Sequence, residues 1–411
     1  MATLFFMLLM GIFSTFIHAI PTSTGQKVTR RSVTVDLPRN PGYAPNGRLQ
    51  YSRALKKWGV DMSTHLDDVT NSFRGGGESG DVNAESITAD REYLSRVGFG
   101  TPFQYLNVDL DTGSADVWVF SSETRTKKPR ETIFDLKKSS TSKLLNGSEW
   151  RISYGDSSYA WGHVYHDSID IAGIPVHNAV VQSAVDVSDS LSSDKYIDGI
   201  FGLAYNLHSQ VRPKEPTVLE TIKGHLDKPV FTADLRYRSD EGVYTFGYID
   251  HDRHIGEINY TPLLPNSTFW EFNFTGLHVV GHDYWYISQW RVIADTGTTL
   301  LLLSPDIVNM YYSAVPNATS DQAFGGLWHY PCDTELPDFE IGFANGWVAT
   351  VPGKYMNYTT YNEVPGSCMG GLQAFDSEEF GILGDIFLKA VYTVFDMEGG
   401  RIGFAHKDLE L

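Results

Sequence analysis

Cysteine is scarce in this chain of 411 residues, and the only two are Cys332 and Cys368. This scarcity excludes the small folds that depend on a dense disulfide network. It also argues against a structural zinc site, because two cysteines without a nearby histidine pair leave the ligand set incomplete. In an exported chain the simplest prediction is a single disulfide between Cys332 and Cys368.

Basic side chains are also in deficit. The chain has 32 Lys and Arg residues against 50 Asp and Glu residues, for a formal net charge of −18. The deficit is uneven, because the first 84 residues carry nine basic and six acidic side chains and the remainder is strongly acidic. An acidic body repels nucleic acids and anionic membranes, so neither is predicted as a partner. The basic leader and the acidic body are predicted to attract each other.

Long apolar runs are rare, and the clearest one covers residues 4–17. Its length and the small Ala19 after it predict a secretory signal peptide over residues 1–19 rather than a membrane anchor. The predicted product is a soluble, secreted, extracellular monomer, with a vacuolar location as the alternative. Six Asn-x-Ser/Thr sequons are candidate glycosylation sites on this route. They begin at Asn146, Asn259, Asn266, Asn273, Asn317 and Asn357.

Long stretches with the helical period of 3.6 residues are few, whereas Tyr, Phe, Val, Thr and Gly are abundant. This composition predicts a mainly β protein with short strands and frequent turns. Short helices are expected around residues 217–223 and 305–315.

One tripeptide occurs twice: Asp-Thr-Gly at residues 111–113 and again at 295–297, each copy between apolar stretches. Downstream of each copy, two apolar residues lie between glycines, at 199–202 and at 381–384. The spacing from Asp111 to Gly202 is close to that from Asp295 to Gly384. A unit duplicated about a pseudo-twofold axis is therefore predicted, with the two carboxyls meeting face to face.

Two facing carboxyls provide the chemistry of amide hydrolysis at acid pH. One activates a water molecule as a base and the other protonates the leaving nitrogen as an acid. Held close together they cannot both ionise easily, so they share one proton and titrate as a pair. No metal, cofactor or covalent intermediate is needed.

With these motifs the sequence resembles the pepsin-like aspartic endopeptidases of the fungal secreted penicillopepsin and aspergillopepsin type. The resemblance runs from about Glu92 onward and includes the stretches that begin at Asp111, Ile152, Asp198, Ala294 and Gly381. It implies a bilobal double β-barrel with pseudo-twofold symmetry and short helices. It also implies a propeptide over residues 20–84, an N-terminal catalytic lobe with a flap over 85–238 and a C-terminal catalytic lobe over 239–411.

The resemblance assigns roles around the catalytic pair Asp111 and Asp295. It implies that glycines allow tight turns beside the carboxylates, that threonines bond across the lobe interface, and that further hydroxyls bond the outer carboxylate oxygens. These supporting residues are Thr112, Gly113, Ser114, Thr296, Gly297 and Thr298, and Thr299 is a substrate-binding candidate.

The resemblance also implies a β-hairpin flap that closes over the substrate. Its candidate residues are Tyr154, Gly155, Asp156 and Ser158, with Trp118 as the bonding partner of Tyr154. Bulky apolar residues before the cut are the implied preference. Asp156 and Ser158 match positions that admit lysine in fungal relatives. Ser157, Tyr159 and Trp161 depart from the family pattern, which leaves lysine acceptance open.

The leader is interpreted as an intramolecular inhibitor of an enzyme made as a zymogen. The resemblance implies that a propeptide lysine occupies the cleft, and Lys56 or Lys57 beside Trp58 is the matching position. The alternative is a solvated leader without this role. For the body, the alternative to an endopeptidase acting on extended polypeptides is a non-catalytic peptide-binding member of the same family.

Overall fold

The structure is a computed structural model. It describes residues 31–37, 46–58, 93–125, 132–153, 159–192, 197–204, 209–239, 241–321, 326–377 and 380–409. The predicted signal peptide and the flap positions Tyr154, Gly155, Asp156 and Ser158 lie outside these residues.

Strands dominate the described part of the chain, and the predicted mainly β fold is confirmed. The strands are β1 (Val33–Asp36), β2 (Ser95–Phe99), β3 (Gln104–Asp111), β4 (Val117–Arg125), β5 (Lys143–Ser153), β6 (Tyr159–Ile171), β7 (Ile174–Val187), β8 (Gly199–Gly202), β9 (Val230–Asp234), β10 (Val243–Phe246), β11 (Ile255–Pro262), β12 (Glu271–Val279), β13 (Tyr286–Ala294), β14 (Leu301–Leu303), β15 (Thr319–Asp321), β16 (Leu327–Pro331), β17 (Phe339–Gly342), β18 (Val348–Val351), β19 (Asn357–Tyr361), β20 (Ser367–Gly370), β21 (Leu372–Ala374), β22 (Gly381–Leu383), β23 (Tyr392–Asp396) and β24 (Arg401–His406).

The helices are short. They are α1 (Gly47–Lys57), α2 (Asp189–Ser192), α3 (Val218–Lys223), α4 (Pro305–Ser313), α5 (Gly353–Met356) and α6 (Asp385–Leu388), with a 3-10 turn at Leu136–Lys138. Helix α3 begins where the sequence predicts, because Thr217 and Glu220 form a capping box. Helix α4 starts with Pro305, which is favourable at the first helical position. None of the described helices is long and apolar enough to span a membrane.

Two seven-stranded sheets repeat one local arrangement. In the first, β8 lies between β3, to which it is parallel, and β4, to which it is antiparallel. In the second, β22 lies between β13 and β14 with the same directions. The apolar doublets between glycines are these central strands, and the strands before them end at the two Asp-Thr-Gly loops. The motif that is repeated in the sequence therefore corresponds to a repeated arrangement of three strands in the structure.

A third, six-stranded sheet joins distant parts of the chain in the order β1-β10-β9-β23-β24-β11. Its outermost strand β1 belongs to the leader and pairs antiparallel with β10. Its core is aromatic, with the Phe231 ring stacked on Phe395 at 4.4 Å and edge-on to Trp270 at 5.6 Å. Since β9 and β23 are neighbours, the two halves of the chain share this sheet.

The predicted disulfide between Cys332 and Cys368 is present and connects residues 36 apart. It lies in the four-stranded sheet β15-β16-β20-β19, where Cys368 pairs with Tyr330 in the strand that Cys332 follows. Cys368 is fully buried. The bridge thus fastens one side of the second half of the molecule.

Candidate active site

The two Asp-Thr-Gly loops meet with their carboxyls face to face. Asp111 is 3% exposed and Asp295 is fully buried. A Cβ atom added to Gly113 would lie 2.4 Å from Asp295 Oδ1, and one added to Gly297 would lie 2.3 Å from Asp111 Oδ1. Each glycine is therefore required by the carboxylate of the opposite loop, since a side chain would collide with it.

A reciprocal set of hydrogen bonds fastens the loops to each other. Thr112 N–H donates to Thr296 Oγ1 at 3.1 Å, and Thr296 N–H donates to Thr112 Oγ1 at 3.0 Å. The two hydroxyls in turn donate to the carbonyls of Ala294, at 2.9 Å, and Leu110, at 2.6 Å. All these groups are buried, so the contacts are made without competition from water.

Backbone amides and one hydroxyl hold the carboxylates in place. Gly113 N–H donates to Asp111 Oδ1 at 2.8 Å, and Gly297 N–H donates to Asp295 Oδ1 at 3.0 Å. The Thr298 hydroxyl donates to Asp295 Oδ2. Its counterpart Ser114 lies near enough to lower the pKa of Asp111, but among the described residues its buried Oγ has no hydrogen-bond partner of ordinary geometry. The predicted hydroxyl contact is thus formed in one loop and not in the other.

A lysine from the leader lies between the two carboxyls. Lys57 Nζ is 2.9 Å from Asp111 Oδ1, 3.1 Å from Asp295 Oδ1 and 3.0 Å from Asp295 Oδ2. Of the two lysines considered from the sequence, Lys57 is the one at this position. It ends helix α1, so the helix delivers the ammonium group to the pair.

This lysine changes the proton affinity of both carboxyls. Burial raises the pKa of the Asp111 carboxyl, but the Lys57 ammonium outweighs burial, and the net pKa lies below the ordinary value. Burial raises the pKa of Asp295, and the negative charge of Asp111 raises it further. The Lys57 ammonium lowers it by less, so the net pKa of Asp295 lies above the ordinary value. Burial alone lowers the pKa of Lys57, but the carboxylates more than reverse it. The two carboxyls titrate together, so a proton taken up on acidification belongs to the pair.

Comparison with known proteins agrees with this geometry. Residues 92–407 match the family model described as eukaryotic aspartyl protease. The chain belongs to the eukaryotic aspartyl protease family. It is 38% identical to endothiapepsin of Cryphonectria parasitica over 395 residues, covering 94% of this chain and 93% of the relative. It is 38% identical to aspergillopepsin-1 of Aspergillus oryzae over 390 residues, covering 94% and 92%.

A third relative, penicillopepsin-3 of Penicillium janthinellum, is 37% identical over 362 residues, covering 88% of each chain. The resemblance stated from the motifs is confirmed, and the chain is an aspartic endopeptidase that hydrolyses peptide bonds.

The leader contacts the rest of the protease through helix α1 and Trp58. Arg48 forms an ion pair with Glu363, and the Tyr51 hydroxyl donates to the Ala374 carbonyl at 2.6 Å. The ring of Trp58 lies edge-on between Phe269, at 4.8 Å, and Phe380, at 5.5 Å. These aromatic partners could not be predicted from sequence, because they are more than two hundred positions from Trp58.

The strands that carry the predicted flap, β5 and β6, are paired up to Ser153 and Tyr159. Trp118 is buried and stacks on Trp150 with ring centroids 6.2 Å apart. Its predicted bond to Tyr154 involves a residue outside the described part of the chain. Thr299 lines a small cavity beside Thr296, and its carbonyl accepts from the Ile386 N–H at 3.0 Å.

The six sequons differ in accessibility. Asn146, Asn266 and Asn317 are exposed in the folded protease, whereas the other three, Asn259, Asn273 and Asn357, are half-buried. The Oδ1 atoms of Asn273 and Asn357 are buried without a hydrogen-bond partner among the described residues. Glycosylation after folding is therefore easier at the first three positions.

Proposed function

We propose that this aspartic endopeptidase uses Asp111 and Asp295 as one catalytic pair. The observation that carries the proposal is the mutual approach of the loops, in which each glycine borders the opposite carboxylate. With the leader removed, the pair holds one proton and a water molecule. The ionised carboxyl takes a proton from the water as it attacks the peptide carbonyl, and the protonated carboxyl assists protonation of the leaving nitrogen. Thr112, Thr296, Gly113, Gly297, Thr298 and Ser114 position the pair.

Neither carboxyl is assigned as the base. The opposite shifts of their pKa values arise with Lys57 in place, and that lysine contacts Asp295 through two oxygens and Asp111 through one. Once it leaves, the proton belongs to the pair rather than to either residue.

We further propose that the enzyme is a zymogen in which residues 20–84 inhibit the site. Three contacts support this: Lys57 on the pair, Trp58 between Phe269 and Phe380, and β1 on the six-stranded sheet. Because the pKa of Asp111 is depressed, its contact with Lys57 stabilises the inhibited form above the ordinary pKa of an aspartate. That contribution is lost as the pH falls through the depressed value. Acid is therefore proposed to release the leader.

The enzyme is proposed to be secreted and to cleave after bulky apolar residues, with Tyr154, Gly155, Asp156 and Ser158 forming the flap over the substrate. The aromatic contacts of Trp58 support an apolar subsite next to the pair. The N-terminal lobe is proposed to cover residues 85–238 and the C-terminal lobe residues 239–411. Lysine acceptance is tested by comparing peptides that differ only in Lys, Phe or Leu before the cut, with and without Asp156→Ala.

The catalytic proposal is tested with the purified full chain and with its Asp111→Asn and Asp295→Asn variants. At acid pH the wild type is expected to shorten itself and then digest a denatured protein, and a statin-type transition-state mimic should stop the digestion. Both variants should stay full length and inactive. Self-shortening of a purified variant at the same rate as the wild type would refute the assignment.

A further inference from the structure

The outer part of strand β13, residues 286–290, is paired on one side only. Its inner side pairs with β12, where Tyr286 opposes Leu277 and Ile287 opposes Gly276. The neighbour on the other side, β22, pairs only with Val292, Ile293 and Ala294. Within the described part of the chain, neither a strand nor a loop backbone hydrogen bond covers the other side of residues 286–290. No described residue therefore occupies the backbone groups on that side.

The side chains of this region are apolar and exposed. The exposed fractions are 43% for Val280, 56% for Tyr284, 37% for Trp285, 40% for Tyr286 and 77% for Ile287. Half of the large, exposed hydrophobic side chains in the described residues lie in the eight positions 280–287. Such clustering marks an interaction surface rather than the usual scatter. Residues 284–290 are called the aromatic edge below.

The charges and the proline that two other edge strands carry are missing here. Strand β5 carries Lys143, Glu149 and Arg151, and strand β11 carries Glu257 and ends in Pro262. Charges and prolines at an edge prevent another chain from pairing with it. The aromatic edge contains no charged residue, proline or glycine.

The aromatic edge is also held in a fixed shape. The Trp285 ring stacks on His278 with centroids 5.1 Å apart, and His278 Nδ1 is 2.7 Å from Glu340 Oε2. Trp285 packs so close to Gly276 and Gly342 that an added Cβ would lie 3.2 and 3.0 Å from the ring. The two glycines under the ring leave space for the indole, so the position of this partly exposed tryptophan is fixed by packing.

We propose that the aromatic edge binds an extended, apolar polypeptide segment with basic flanking residues as an added strand. Backbone hydrogen bonds to residues 286–290 would supply affinity, and alternate side chains would contact the aromatic rings. The net charge of −18 selects this occupant over a second copy of the chain, because two copies repel each other. This inference rests on the proposed function in one respect, because a protease that acts on extended polypeptides encounters such segments as substrates.

The aromatic edge is separate from the catalytic pair but lies on the strand that leads to it. Eight residues separate Ile287 from Asp295, which is on the order of 26 Å for an extended strand. A short peptide in the cleft does not reach that far, whereas a long unfolded chain does. The edge would therefore raise the affinity for long polypeptides and leave short peptides unaffected.

The test uses the full chain with Asp295→Asn, so that no peptide is cleaved. The probe is a fluorescent, lysine-flanked peptide of alternating valine and threonine, and its binding is measured by anisotropy. Ile287→Lys is expected to weaken binding at least tenfold, whereas Ile133→Lys, which alters an exposed isoleucine outside the strands, should leave it unchanged. In the active background, Ile287→Lys should hydrolyse a short peptide at the wild-type rate.

Backbone pairing has its own signature. An added strand uses one of its two edges, so N-methylation of one set of alternate residues in the probe should abolish binding and methylation of the other set should not. Equal binding of both methylated probes, or unchanged binding to Ile287→Lys, overturns the proposal. So does a wild-type dimer that Ile287→Lys dissociates in sedimentation, since the edge then binds a second copy. Failure of the catalytic assignment would show itself differently, as cleavage of the probe by the Asp295→Asn protein.

Discussion

Replacing Lys57 by methionine tests how the leader inhibits the enzyme. The substitution keeps the length of the side chain and removes the ammonium group that contacts three carboxylate oxygens at 2.9–3.1 Å. Removing one partner of a buried ion pair costs about 3–5 kcal/mol. The Lys57 side chain is 14% exposed, and without the ammonium group the two carboxyls can share a proton. Both effects reduce the cost, so the expected loss of binding free energy for the leader is about 3 kcal/mol.

This free energy converts into a shift on the pH axis. If release of the leader takes up one proton, about 1.4 kcal/mol corresponds to one pH unit, and the midpoint of conversion rises by roughly two units. The assay follows loss of the leader by mass spectrometry after incubation across a pH series.

Lys138→Met is the matched control, because Lys138 is 71% exposed and its removal should not move the midpoint. Helix α1 would still be held by Arg48 and Tyr51, so the variant should fold. A Lys57→Met protein that converts at the same pH as the wild type would show that this lysine does not restrain the leader.

Three further predictions concern the catalytic loops and the disulfide. Gly113→Ala should lower kcat/KM at least a hundredfold, because the new Cβ meets the Asp295 carboxylate, whereas Gly224→Ala, with open space at that position, should be neutral; equal activities would contradict the geometry. Thr112→Val should lower the free energy of unfolding by about 1–3 kcal/mol in urea titration, since it leaves buried groups unpaired; an unchanged midpoint would refute this. Replacing both Cys332 and Cys368 by serine should cost about 4 kcal/mol for a loop of 36 residues, with folding and activity retained at low temperature; an unchanged unfolding midpoint would contradict it.

Local signals and the duplication made much of the fold predictable from sequence. Thr217 and Glu220 mark the start of helix α3, and Pro305 marks that of α4. The repeated Asp-Thr-Gly with its downstream doublet predicts two equivalent strand arrangements, and both are present.

Contacts between distant segments were not predictable in the same way. The pattern of residues 33–36 fits a strand but does not reveal that β10 is its partner. Adjacent Lys56 and Lys57 look alike in sequence, and only the structure places Lys57 at the pair. Sequence also does not predict that the Thr298 hydroxyl bonds its carboxylate while the Ser114 hydroxyl does not, because this depends on how each hydroxyl is oriented in the fold.

The most direct test of the account is the pH dependence of kcat/KM for the mature enzyme and its Asp111→Asn, Asp295→Asn and doubly substituted variants, each freed of its leader by an added protease. If the two carboxyls act as one unit, the wild type gives a bell-shaped profile, and each single variant is as inactive as the double variant. Asp306→Asn, at an exposed position, is the control and should retain the wild-type profile. Substantial activity in either single variant, with a bell that persists, would contradict the shared-proton pair.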